Sequence, residues 1–124
     1  PIVIDACLKN KKFDCSDGKQ FRDFVHVEDV VNAILISIRN SKVKGQIINI
    51  GSGKPKKIKN IINFLVNRLN GGNPCYGKIK FRKDEILKIY PDINKAKKIL
   101  GWKPIIDFKK GLTETINYYK KINY

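Results

Sequence analysis

The sequence is short of the groups that most enzymes use for chemistry. It has one histidine, His26, and three cysteines, Cys7, Cys15 and Cys75, with no Cys-x-x-Cys pair among its 124 residues. An odd set of widely spaced thiols with a single histidine argues against a zinc site and against a disulfide framework, and it fits a reducing compartment such as the cytoplasm. No apolar run approaches the roughly 18 residues that a membrane helix needs, and Pro1 to Asp5 lack the basic start and long apolar core of a signal peptide. A soluble chain with no membrane partner is expected.

Acidic residues are also scarce. Eleven face 26 basic ones, for a net charge of +15, which raises a nucleic-acid reading. Only Arg22, Arg39, Arg68 and Arg82 are arginines; the remaining bases are lysines spread over nearly every segment. Base and phosphate recognition favours arginine forks, so the charge is read as a solvated surface, and no nucleic-acid partner is expected.

What is present is an α/β pattern. Ile4, Cys7 and Leu8 give a short helix within Pro1–Asn10 one apolar face. Phe13 to Cys15 reads as a strand, with a turn at Ser16 to Lys19, where Asp17-Gly18 supplies left-handed geometry. A strand from Phe21 to Val27 follows, mostly apolar after Arg22 and Asp23. Glu28 and Asp29 then favour a helix N-terminus, and the helix fits Val30 to Ile38. Its apolar residues wrap most of the circumference, which predicts burial on several sides. Gln46 to Ile50 reads as a second strand, ended by Gly51-Ser52-Gly53. Ile58 to Leu69 is the clearest helix, with Ile58, Ile61, Ile62, Leu65, Val66 and Leu69 on one stripe and a stop at 70–74. Asp92 caps a helix through Leu100, closed by Gly101, and Asp107 caps a last one carrying Phe108, Leu112, Ile116 and Tyr119. Two strands are too few to cover these helices, which implies contact with chain outside this sequence.

Three motif matches are rejected on physical grounds. Gly51-Ser52-Gly53-Lys54 has a P-loop flavour but not its spacing, and Pro55 follows the lysine, so it reads as a turn. Tyr76 and Lys80 have the Tyr-x-x-x-Lys spacing that works only on a helix, which Pro74 and Gly77 disfavour. His26, inside an apolar strand, reads as a buried, hydrogen-bonded core histidine. Arg22 and the cluster Arg82-Lys83-Asp84-Glu85 carry more. Two arginines from distant segments could clamp a diphosphate through charge-assisted contacts, with Glu85 accepting the hydroxyls of a ribose. Surface ion pairs with Asp23 and Asp84 explain the same residues equally well.

At these residues the chain resembles the C-terminal part of an extended short-chain dehydrogenase/reductase, the NAD-dependent nucleotide-sugar epimerase/dehydratase family. The blocks that carry the resemblance run in order: Asp17 through Val30, Asn49-Ile50-Gly51-Ser52-Gly53, Arg82 with Glu85, Asp92 through Pro104, and Gly111-Leu112. The resemblance implies a two-part Rossmann-type enzyme, usually a homodimer. Residues 1–124 would be its nucleotide-sugar-binding region, and an N-terminal domain absent here would bind NAD. It further implies that Arg22 and Arg82 hold the diphosphate, that Glu85 holds the ribose, and that the strand with Phe13 and Cys15 runs beside the nucleobase. The family's glycine fingerprint, catalytic Ser/Thr and helical Tyr-x-x-x-Lys would lie upstream of Pro1, so no catalytic residue is expected in this chain, and it should be inactive alone. Cys15 stands where an aromatic is common, leaving the base open. Lys57 replaces a serine or threonine before the Ile58 helix, and Lys109-Lys110 replace acids early in the last helix. Two rival classes remain, a basic nucleic-acid-binding module and a non-catalytic interaction module that kept the fold.

Overall fold

The computed structural model describes residues 1–123 and divides the chain into two compact units. Residues 1–22, 56–88 and 113 onward form the first, and 23–55 with 89–112 form the second.

In the first unit, helix α1 (Ile2–Leu8) leads to strand β1 (Lys12–Asp14). Helix α3 (Ile58–Leu69) follows later, then strand β4 (Asn73–Cys75), which pairs in parallel with β1 in the register Phe13 to Pro74. The core holds Ile4, Ala6 and Cys7 of α1, Phe13, Ile62 and Leu65 of α3, and Ile116. The buried α3 residues lie on the stripe read from its periodicity. Lys57 offers α3 no side-chain cap, as its substitution for serine or threonine implies. Two of the helix's orphan N–H groups are met instead by main-chain carbonyls. Ile58 donates to Gln20 at 2.9 Å, and Lys59 donates to Gly18 at 3.0 Å. Gly18 has φ +68°, and a Cβ there would lie 2.8 Å from the Lys59 Cβ, so both backbone shape and packing require glycine. Strand β2 (Phe21–Arg22) pairs antiparallel with β3 (Lys56–Lys57) and lies between β3 and β5 (Lys88–Ile89).

The second unit contains helix α2 (Val27–Ile38), a 3-10 turn at Ser41–Val43, and helix α4 (Asn94–Leu100), closed by Gly101 with φ +62°. Its core is Ala33, Ala96, Leu100 and Trp102, with Val25, Ile36, Val43, Ile48 and Ile50 packed around it. Asp92, two residues before the helix begins, accepts from the Asn94 N–H at 2.8 Å, although the N-cap position itself is Ile93 rather than the expected Asp92. Helix α5 (Phe108–Asn123) starts in this unit, where Asp107 accepts from the Lys109 N–H at 2.8 Å. No helix among the described residues is long and apolar enough to cross a membrane.

Four sequence expectations need correction. The strand over Phe21–Val27 is only Phe21–Arg22, and α2 begins at Val27. His26 is not a core residue. It is half-buried and caps α2, its Nδ1 accepting from the Glu28 N–H at 3.4 Å. Gln46–Ile50 is not a strand. Ile48 and Ile50 face the core while Ile47 and Asn49 are exposed, so the period-two pattern survives, but among the described residues no neighbouring backbone completes a ladder. Helix α2 is not covered on several sides. Only Asp29 and Ala33 are buried, while Val31, Ile34, Leu35 and Ile38 are exposed, the last at 76%. Apolar periodicity marks which faces can be buried, and whether one is buried depends on a partner.

Candidate functional site

The first unit carries a cleft of about 380 Å3. Its apolar lining comes from Ile2 and Val3 of α1, Phe13 of β1, and Ile58 and Ile62 of α3. A second apolar contribution is Ile79 and Phe81, which alternate with Lys78, Lys80 and Arg82 in the segment after β4. Ser16 and Gln20 supply neutral polar groups, and Asp14, Lys80, Arg82 and Glu85 supply charge.

Arg22, on β2, is held from two directions. Its Nη1 donates to the Phe21 carbonyl at 2.8 Å, and its Nη2 donates to Glu85 Oε1 at 2.5 Å. The ion pair is mostly shielded, the two side chains being 29% and 22% exposed. The Glu85 N–H donates to the Arg82 carbonyl at 3.1 Å, so the two residues share one turn. The fold therefore brings together the three residues singled out from the sequence. Arg22 pairs with Glu85, 63 positions away, and not with Asp23. The Arg82 guanidinium is exposed and forms no ion pair among the described residues. One satisfied cation and one open one beside a carboxylate are suited to a polar, multiply charged ligand.

Phe13 is buried and Cys15 half-buried, and both line the cleft. Cys15 sits at the end of the β1–β4 ladder, where its N–H donates to the Cys75 carbonyl at 3.2 Å. Burial, then the neighbouring Cys75 and Asp14, push the Cys15 thiol above the ordinary range. A thiol held protonated is a poor nucleophile, so Cys15 is suited to contact rather than to covalent chemistry. Tyr76 and Lys80 do not lie on a helix. The Tyr76 hydroxyl donates to Asn63 Oδ1 at 2.6 Å, and burial, with Cys15 adding to it, raises its pKa. That shift is opposite to what a catalytic tyrosine needs.

The Gly51-Ser52-Gly53 turn, in the second unit, is tied down by Asp23. One oxygen, Oδ2, accepts from the N–H groups of Ser52 at 2.7 Å and Gly53 at 3.2 Å, and Oδ1 accepts from the Ser52 hydroxyl. Backbone donors that a P-loop would offer to phosphate are here engaged by a carboxylate.

Sequence reading missed β4 and the cleft residues Asp14, Ser16, Gln20, Ile79, Lys80 and Phe81. The alternation of Lys78-Ile79-Lys80-Phe81-Arg82 was the available signal for the last group, since period two marks one apolar face. Strand β4, Asn73-Pro74-Cys75, gave none, because asparagine and proline are poor strand formers.

Residues 2–115 match the family model described as GDP-mannose 4,6 dehydratase. A putative UDP-glucose 4-epimerase of Methanocaldococcus jannaschii is 39% identical over 124 residues, covering 98% of this chain and 39% of that protein. Among solved structures, a UDP-glucose 4-epimerase of Thermotoga maritima with UDP-glucose superposes at a TM-score of 0.87 and 28% identity, over 99% of this chain and 39% of its own. The protein MoeE5, in complex with UDP-glucuronic acid and NAD, gives a TM-score of 0.83 at 25% identity, over 97% of this chain and 40% of its own. The chain thus spans about 40% of the length of these relatives.

Proposed function

The chain belongs to the GDP-mannose 4,6 dehydratase family of NAD-dependent epimerases and dehydratases, and we propose on that premise that it is the C-terminal, nucleotide-sugar-binding portion of such an enzyme. The observation that carries the proposal is that Arg82 and Glu85 line one cleft and that Arg22, which is not itself in the lining, is ion-paired to Glu85. A nucleotide sugar presents a diphosphate, a ribose diol and a flat base in sequence. Arg82 and Arg22 hold the diphosphate, the second oxygen of Glu85 accepts from the ribose, and Phe13, Cys15, Ile79 and Phe81 wall the base. Binding of UDP-glucose by the T. maritima relative supports this assignment.

The sequence offers no Gly-x-x-Gly-x-x-Gly fingerprint, and Tyr76 and Lys80 are not on a helix. These residues do not fit a dinucleotide, so no step through NAD is derived from them. In this proposal an N-terminal Rossmann domain would hold NAD and supply the redox chemistry, while this chain positions the substrate. That domain covers the apolar face of α2, and its sheet pairs with residues 46–50. Support comes from the exposure of Val31, Ile34, Leu35 and Ile38 and from the unpaired alternation at 46–50.

Calorimetric titration with UDP-, dTDP-, GDP- and CDP-sugars tests the reading. Micromolar binding of at least one, weakened by Arg22→Ala and by Arg82→Ala, is expected. Binding of none, or binding indifferent to both substitutions, overturns it. Reading the gene upstream of Pro1 tests the two-part architecture separately, since a glycine fingerprint and a helical Tyr-x-x-x-Lys must be encoded there.

A further inference from the structure

Glu85 and Arg22 stand in a definite order at the cleft. Glu85 is part of the lining and Arg22 is not, yet Arg22 Nη2 donates to Glu85 Oε1 at 2.5 Å. The carboxylate therefore forms the wall and the guanidinium stands behind it. A second contact, from Arg22 Nη1 to the Phe21 carbonyl at 2.8 Å, holds the guanidinium in place. Both side chains are mostly shielded, which limits the competition from water and salt that weakens an exposed pair. Lys80 and Arg82 also line the cleft, and neither forms an ion pair among the described residues. An anion entering the cleft is drawn by those two cations, but it meets the Glu85 carboxylate before it meets Arg22.

We propose, building on the nucleotide-binding reading, that Glu85 makes the site select nucleoside diphosphates over free diphosphate. An ionised carboxylate only accepts hydrogen bonds, so a ligand compensates Glu85 only by donating to it. Inorganic pyrophosphate offers mainly accepting oxygens. It is repelled by Glu85, and to gain Arg22 it must pull the guanidinium out of a shielded pair and leave the carboxylate without its partner. A nucleoside diphosphate carries the same phosphates beside a sugar whose hydroxyls donate. Its hydroxyls satisfy Glu85 while its phosphates take the N–H groups that Arg22 has left, since a guanidinium has five and two are engaged. The ion pair thus works as a repulsive element against the wrong ligand, which is one of the two ways a site becomes specific.

A general charge effect is the competing explanation, because removing any acid from this segment favours any anion. Asp84 separates the two. It precedes Glu85 and carries the same charge, but it is exposed, lies outside the lining and forms no ion pair among the described residues.

The test is calorimetric titration of the full chain with inorganic pyrophosphate and with UDP, dTDP, CDP and GDP, using the wild type, Glu85→Gln and Asp84→Asn. Glutamine keeps the shape of Glu85 and an oxygen that accepts from Arg22, and circular dichroism checks that both variants fold. The wild type, which needs no such check, should bind its best nucleotide more tightly than pyrophosphate by at least on the order of tenfold, the size of one charge-assisted hydrogen bond. Glu85→Gln should tighten pyrophosphate by a similar factor and narrow the ratio, whereas Asp84→Asn should leave pyrophosphate within about threefold of the wild type, as expected of a screened surface charge. Pyrophosphate that binds the wild type as tightly as the best nucleotide, that binds Glu85→Gln no tighter, or that gains equally in Asp84→Asn overturns the role of Glu85 and leaves the nucleotide site standing. If no nucleotide binds the wild type, the nucleotide reading of the cleft fails, and this role falls with it.

Discussion

The indole N–H of Trp102 donates to the main-chain carbonyl of Asp29 at 3.0 Å, across 73 positions of sequence. Both residues are 2% exposed. The Asp29 carboxylate accepts in turn from the N–H groups of Ile105 at 3.0 Å and Ile106 at 3.1 Å. One residue in the first turn of α2 thus fastens the whole 102–106 segment. Replacing Asp29 with alanine leaves two backbone donors without their acceptor, and a loss of about 2–4 kcal/mol is expected. Urea unfolding measures it, and a loss below half of that range would show that water replaces the carboxylate.

Trp102 fills the core around Ala33, Ala96 and Leu100. Trp102→Phe should cost less than Trp102→Ala, for which about 3–5 kcal/mol is expected. The double mutant with Asp29→Ala should cost less than the sum of the single ones, because both act on the same segment.

Gly51 is required by contact rather than by backbone shape. A Cβ there would run into the Asp23 carboxylate and the Pro91 ring. Gly51→Ala should destabilise by about 1–3 kcal/mol through overpacking. Asp23→Asn should be cheaper than Asp23→Ala, since the amide oxygen still accepts from the turn. Thermal unfolding ranks the three variants.

The exposed α2 face predicts behaviour in solution. The chain on its own should self-associate, and Ile34→Lys with Ile38→Lys should reduce that association. Sedimentation velocity measures both. A monodisperse wild-type monomer that unfolds cooperatively would show that the face needs no cover.

Thiol titration gives the pH dependence. Burial raises the Cys7 pKa, and burial, then Cys75 and Asp14, raise that of Cys15. Protonated thiols are therefore favoured by the fold. Their contribution is fully present below the ordinary thiol pKa of about 8.5 and is lost as pH rises through the higher folded values, because the unfolded chain ionises first. Stability should fall above that pH, and Cys7→Ser with Cys15→Ser should flatten the fall.

Local rules are legible in the residues themselves. The α3 stripe, Gly18 in its turn, Gly101 after α4 and the carboxylates at 92 and 107 each follow from interactions within a few positions, where chain geometry fixes the partners in advance. The family blocks also placed Arg22, Arg82 and Glu85 on the list of candidates. Tertiary structure decided what they touch. Arg22 has Asp23 as its sequence neighbour, yet it pairs with Glu85, while Asp23 is taken up by the Ser52 and Gly53 N–H groups. His26 and residues 46–50 show the same limit, since capping and strand pairing depend on which backbone groups arrive alongside. Sequence by itself determined the helices and the turns, and it named Arg22, Arg82 and Glu85 as candidates. The fold decided which charges are paired, as at Arg22 and Glu85, and which, as at Arg82, form no ion pair among the described residues, because distant groups meet only after the chain has closed around its cores.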